Sequence, residues 1–450
     1  MVPDDSLPAE QETWEQFSRI CRHAIFTHSA NHQALLRDLI QRLYAGSEDF
    51  AAKVLASELF RRDTSIAKVE GRAVRSKLDA YYDSDGRSDP IIIRIPSRTF
   101  KPQIVQRIKP LSGESIGAAM FAQTGVFYPT SDGLEMVKKH LNDALVADPN
   151  HPCLLALKAL CNISAIYLGQ DPVAAFESVE YLLHDVESKK FNSPEASFAN
   201  AALLVSKYRW HEADLKFHEC FNSLAPLDTP YFASPLYVHF MAAQLRFDEG
   251  LRLINRGAWR KNAEGAPEFV HSSALLHIMA GNLDEAERQI NVAYSGPRSY
   301  PEEYLAPVSS LLHAAKGDFA TALTEIHRVH EKPIQTVLGT AAPGLVALLT
   351  GLNGDVALAS EMYSEFKAQR QLGLDIGFYA PPIRIPAFNL VLAAIGVNLL
   401  DDAVAWLEIA IKEREPLAAW SHVLPVLQPL HKLVPFRSLV ISKMKLKFAG

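Results

Sequence analysis

The residues with the clearest chemical potential are cations at helical spacing. Lys68, Arg72 and Arg75 recur at intervals of four and three, which at ~100° per residue gathers them on one narrow arc of a helix. Val69, Ala73, Val74, Leu78, Ala80 and Tyr81 fall broadly opposite, interrupted by Glu70 and Lys77. Shortly after, IIIRIPSRTFKPQIV (91–105) alternates about a tight Pro96-Ser97-Arg98 turn and brings Arg94, Arg98 and Lys101. Cationic side chains that neutralise phosphates release condensed counterions, so a basic helix face followed by a basic hairpin is an electrostatic footprint for double-stranded DNA. The helix would enter the major groove and the tip at Arg98 would touch backbone or minor groove. The candidate contacts are therefore Lys68, Arg72, Arg75, Lys77, Arg94, Arg98 and Lys101. On charge alone, a merely solvated basic face remains open.

The chain as a whole hides this feature. Its 450 residues carry a net charge of −6. Between Arg61 and Pro110, however, twelve Lys/Arg stand against six Asp/Glu, a local +6 that leaves −12 for the remainder. The composition, 48% hydrophobic and 21% charged, excludes a wholly disordered, collagen-like or disulfide-stapled chain. Four cysteines (Cys21, Cys153, Cys161, Cys220) form no CxxC pair and suit a reducing compartment. The acidic start MVPDDSLPAEQETWEQF lacks the pattern of a signal peptide. No apolar run approaches the ~20 residues of a membrane span. The expectation is a cytoplasmic protein without membrane contact.

Other chemistry is not indicated. There is no GxxxxGK[ST], GxGxxG after a strand, HExxH or GxSxG. His28/His32 and His327/His330 could each share a helix face, but neither pair has a carboxylate or thiol at ligand spacing. Asp401-Asp402 and Glu302-Glu303 read as helix-start charges, not as catalytic acids. We expect no catalytic residues, no metal and no cofactor: the chain is not expected to be an enzyme.

The elements that must position the cations occupy residues 11–107. Apolar spacing predicts helices between Trp14 and Tyr44, over Phe50–Phe60, and from about Ile66 to Tyr82, before the hairpin. Helices plus a C-terminal hairpin outline a small winged helix. Residues 108–132 read as a linker.

From 133 onwards a small residue recurs near the start of a helix: Ala213, Gly250, Ala286, Ala322, Ala359 and Ala403, at intervals of 37, 36, 36, 37 and 44. Ala174 is a weaker member, 39 residues before Ala213. Two helices approach closely only where side chains are small, so the beat predicts stacked helical hairpins. Gly281, Gly317 and Gly354 each precede Asn or Asp and suit helix C-caps. The fold class expected is mainly α: a winged helix, then an α-solenoid of about seven tetratricopeptide-repeat (TPR)-like helix pairs over 133–450. The concave face of such an array binds a protein or peptide by default, and its closing helices could also pair two copies into a homodimer.

Both parts resemble one family. SRICRHAIFTHSANHQALLRDLIQRLYAG, ELFRRD (58–63) and VEGRAVRSKLDAYYDSDGRSDPIIIRIPSRTFKP (69–102) resemble bacterial transcriptional regulators with an N-terminal OmpR-like winged helix ahead of a TPR array. Asp402-Ala403, Trp406-Leu407, Ala410, Glu413-Arg414-Glu415, Leu427, Pro429-Leu430 and Phe436 resemble the closing repeat of those proteins, a capping helix pair with a polar outer face. The resemblance implies promoter DNA binding, with Arg72 and Arg75 in the recognition helix and Arg98 in the wing. This chain departs from it in having only Thr64–Lys68 between the "gRd" and "vea" elements and no glycine in the wing turn. An adaptor that has lost DNA binding and serves protein interaction is the alternative.

Overall fold

The computed structural model describes residues 10–56, 59, 64–96, 99–106, 111–125, 131–189, 193–223, 235–254, 267–295, 302–329, 338–375 and 385–448. The chain is mainly helical, with one two-stranded sheet among the described residues, and divides into two units, Met1–Leu111 and Ser112–Gly450.

Unit 1 contains α1 (Glu10–Arg22), α2 (Ala24–Thr27), α3 (Ala30–Tyr44), α4 (Ala52–Leu55), α5 (Thr64–Asp83), β1 (Ile91–Arg94) and β2 (Gln103–Gln106). Its core joins Phe17, Ile20, Leu35, Leu39, Val74, Leu78, Ile93 and Ile104. On α5 the buried positions are Ala67, Gly71, Val74, Leu78, Tyr81 and Tyr82, of which the first five follow the i, i+4, i+7 stripe of a helix packed on one side. Val69 is 66% exposed and Ala80 is also exposed, so neither belongs to the apolar side assigned to it from spacing. The strands pair antiparallel from Ile91↔Gln106 to Arg94↔Gln103. Pairing stops at Arg94 and Gln103, and Ser97 and Arg98 of the tight turn expected at Pro96-Ser97-Arg98 lie outside the described residues. Tyr82 fastens the hairpin to α5: its hydroxyl accepts from Ile93 N at 2.8 Å and donates to Ile91 O at 3.3 Å.

Unit 2 is a succession of helix pairs, consistent with an α-solenoid. The pairs are Gly113–Gly125 with Ser131–Ala147, Pro152–Ile166 with Pro172–Ser188, Pro194–Ser206 with Trp210–Ser223, and Pro235–Ala243 with Phe247–Ile254. Then follow Pro267–Met279 with Leu283–Ser295, Glu302–Ala315 with Phe319–His327, Ala342–Leu352 with Val356–Asp375, and Ala387–Gly396 with Leu400–Lys412. The expected linker 108–132 thus holds the first helix of the first pair, and the division between units falls at Leu111/Ser112. An uncharged stretch such as SIGAAMFAQTG reads poorly from periodicity, but Ala119 and Ala122 bury against the next helices.

The small residues sit where close packing requires them. Ala213, Gly250, Ala286, Ala322, Ala359 and Ala403 are each the fourth residue of the second helix of a pair, and all are buried. Ala174 breaks this register. It is exposed, and the fourth position of Pro172–Ser188 is Ala175. The turn between the helices of a pair repeats as well. Gly169, Tyr208, Leu245, Gly281, Gly317, Gly354 and Asn398 all have positive φ. After each, the next N–H reaches back five residues, as in Arg246 N→Met241 O at 2.9 Å and Asn282 N→His277 O at 2.8 Å. This is the left-handed helix stop for which glycine is favoured. Tyr208 and Leu245 adopt it without being glycine, so only the glycine members were visible in the sequence.

The closing segment is not the capping helix pair expected. After Lys412 the chain runs through 3-10 turns at Pro416–Trp420 and Pro425–Lys432 and a short helix at Val434–Ser438. Pro416, Pro425, Pro429 and Pro435 lack the N–H that a continuous helix needs. In this segment Trp420, Leu424, Leu427, Leu430 and Phe436 are buried, while Gln428, Lys432, Arg437, Ser438, Ser442 and Lys443 are exposed. It turns back into the array. Trp420 Nε1 donates to His239 O at 3.1 Å, Trp210 Nε1 donates to Met444 O at 2.6 Å, and His422 Nε2 lies 3.1 Å from Ala243 O. Arg414 Nη1 reaches Glu180 at 2.9 Å across 234 residues of sequence. The first helices of the central pairs, Pro235–Ala243 and Glu302–Ala315, therefore carry the chain's own C-terminal segment.

Candidate nucleic-acid interface

Four of the seven cations singled out by spacing converge. Lys68, Arg72 and Arg75 from α5 and Lys101 from the loop before β2 line one open cleft, together with Glu48, Asp49, Phe50, Ala51, Ala52, Thr99 and Phe100. Lys68, Arg72 and Lys101 are exposed. Among the described residues their side chains have no ion-pair or hydrogen-bond partner. Two exposed carboxylates, Glu48 and Asp49, share the cleft. Asp49 is partly occupied, since its Oδ1 accepts from Ala51 N at 3.2 Å at the approach to α4.

Arg75 differs from its neighbours. It is half-buried, and its Nε donates to Ile95 O at 3.1 Å while Nη2 donates to Thr99 O at 3.3 Å. Its guanidinium also lies 5.4 Å from the centre of the Phe100 ring. Burial, then the nearby Arg72 charge, pull its pKa below the ordinary arginine value.

The other three candidates fall elsewhere. Lys77 turns away from the cleft: its ammonium donates to Ser29 Oγ and lies 5.7 Å from the Phe26 ring centre. Five residues beyond Arg72 on a helix is ~140° of rotation, which carries it to the α2–α3 side. Arg94 is exposed at the end of β1 and does not line the cleft. Arg98 lies outside the described residues. Glu70, which interrupts the helix pattern, binds His32 Nε2 at 2.8 Å and not the cleft cations.

The residues missed in the sequence are apolar. Phe50 and Phe100 are buried beside the cleft, and Gly71 faces Phe100. A glycine in mid-helix, at some cost to helix stability, was the one available signal.

Other chemistries find little here. Among the described residues no three His, Cys, Asp or Glu side chains are grouped to hold a metal, and His330 lies outside them. Cys21, Cys153, Cys161 and Cys220 are free thiols. Burial pushes Cys21 and Cys153 up to about 11 and Cys161 to about 12, so they stay protonated and poorly nucleophilic. No helix among the described residues is long and apolar enough to cross a membrane.

No family model matches the chain. No curated protein matches it either.

Proposed function

We propose that this chain is a DNA-binding transcriptional regulator acting in the bacterial cytoplasm. On this reading unit 1 is a winged helix whose α5 enters the major groove, and unit 2 is a TPR-like array that docks a partner protein or effector and modulates DNA binding. The observation that carries the reading is the convergence of Lys68, Arg72 and Lys101, all exposed, on one cleft between a helix and a hairpin. Exposed cations on one helix face suit phosphate neutralisation, and the hairpin beside it supplies a second arm for the backbone.

The test is a fluorescence-anisotropy titration of the full chain on genomic DNA fragments at several salt concentrations. The affinity should fall steeply with salt, by a logarithmic slope of about 0.9 per phosphate contact. No binding at ~50 mM salt would leave the adaptor reading instead. That alternative draws on one specific observation: Arg75 and Lys77 both spend their donors inside the unit.

A further inference from the structure

The hairpin loop is held to α5 by a small clamp. A Cβ on Gly71 would lie 2.3 Å from Phe100 Cε1, so any larger residue would push the Phe100 ring from its seat against the helix. Arg75, one helical turn further on, lies over the same ring. Its two donated bonds go to Ile95 O and Thr99 O, carbonyls on either side of residues 96–98. The planar guanidinium spans both carbonyls at once, which a lysine ammonium on its single flexible stem does not reproduce. Lys101 follows directly on Phe100 and lines the cleft with Lys68 and Arg72. The position of Lys101 relative to α5 is therefore set by Gly71, Phe100 and Arg75.

We propose that Arg75 is a positioning residue and not a phosphate contact: with Gly71 and Phe100 it fixes the width of the cleft, so that Lys101 meets the same polyanion as Lys68 and Arg72. This rests on the DNA-binding reading and assigns a different role to one residue of that site. A backbone-contacting arginine and a clamping arginine make opposite predictions for a charge-conserving change. If Arg75 touched phosphate, Arg75→Lys would keep charge, affinity and salt dependence. If Arg75 holds the loop, the same change releases Lys101 although no charge is lost.

The experiment is anisotropy at graded salt on the full chain, for the wild type, Arg75→Lys, Phe100→Leu, Lys101→Ala and the Arg75→Lys/Lys101→Ala double variant, with circular dichroism to confirm folding. Arg75→Lys should bind about tenfold more weakly, with the salt slope reduced by about 0.9, one phosphate contact. Phe100→Leu, which alters no charge, should show the same two losses. The double variant should be no worse than Lys101→Ala alone, because both changes remove the same contact. Wild-type affinity and slope in Arg75→Lys would overturn the clamp while leaving DNA binding intact. Absence of DNA binding by the wild type would overturn the DNA reading and the clamp's role together. If Phe100→Leu does not fold, Arg75→Lys, which leaves the apolar core untouched, decides alone.

Discussion

The arginines of the two units do different work. In unit 2 several fasten one repeat to another: Arg246 binds Asp214 at 2.7 Å, besides Glu249 three residues on, and Arg414 reaches Glu180 at 2.9 Å. Arg370 is nearly wholly buried, grips Glu413 at 2.7 and 2.8 Å, and donates to Ile385 O at 2.7 Å. In unit 1, Arg72 stands exposed with no partner among the described residues, and Lys68 and Lys101 line the same cleft. A chain with net −6 has carboxylates to spare. That three neighbouring cations have no ion-pair partner among the described residues is what the proposed DNA binding would use, whereas the internal pairs serve stability. Substitutions should therefore separate the two: changes in unit 2 should move melting and not DNA affinity, and changes in the cleft the reverse.

The largest expected contrast is with pH. Burial holds His239 near 3 and His271 and His422 near 4, well below the ordinary imidazole value. A group whose pKa is lowered by folding binds protons more readily when unfolded, so stability falls as pH drops below 6.5 towards those values. Glu415 acts in the opposite sense. Burial raises it to about 7, against the lowering effect of the Phe388 and Ala387 N–H groups it accepts from, with Glu413 raising and Arg370 lowering it further. It favours the folded state as pH falls from 7 towards 4.5. His277 and His431, also lowered by burial, add to the imidazole side, so the net effect between pH 6.5 and 4.5 is a loss of stability as pH falls. Calorimetry should show the unit 2 transition falling over that window. Substituting glutamine at both His239 and His422 should flatten it, and an unchanged slope in that variant would remove the buried imidazoles as its source.

Next in size is Arg370→Met. Removing one partner of a buried pair takes from Glu413 its close guanidinium ligand, at a cost of about 3 kcal/mol. Urea unfolding should report that loss, while DNA titrations below the transition match the wild type. A fall in DNA affinity would mean that the two units do not divide their labour as their arginines suggest.

Legibility followed the same division. The 36–37-residue beat was visible because a closely packed helix crossing tolerates only small side chains, and Ala286, Ala322 and Ala359 answer to that one constraint. Ala174 misled because a neighbouring alanine, Ala175, holds the equivalent place. The left-handed stops at Tyr208 and Leu245 were hidden, since tertiary packing imposes there a backbone that the residue types do not favour. The closing segment was misjudged for a similar reason: apolar residues punctuated by proline fit a helical cap or an inward-running strap equally well, and long-range contacts such as Trp420 with His239 O decide between them. In unit 1, spacing found Lys68, Arg72 and Arg75. It could not separate free cations from committed ones, because the partners of Arg75 and Lys77 lie 20 to 48 residues away in sequence.

Within the cleft, Arg72→Ala is the direct probe. Arg72 is exposed and has no partner among the described residues, so its loss should leave the melting temperature unchanged and weaken DNA binding by about 2 kcal/mol if it reads a base, or reduce the salt slope by about 0.9 if it grips phosphate. A variant that melts lower but binds as the wild type would place Arg72 with the fasteners of unit 2.

The smallest effect tests the sign of the field. Glu48 is an exposed carboxylate on the same cleft as Lys68, Arg72 and Lys101, within reach of any phosphate they hold. Glu48→Gln removes that repulsion at nearly constant shape. DNA affinity should tighten by about twofold at ~50 mM salt, and the gain should vanish towards 1 M, where the Debye length shrinks to about 3 Å. The same exchange in unit 2, Glu413→Gln, should destabilise, because there the carboxylate is the ligand of Arg370. Identical chemistry with opposite outcomes is what a free and a committed cation set require. Weaker DNA binding by Glu48→Gln would mean that the polyanion does not lie in this cleft.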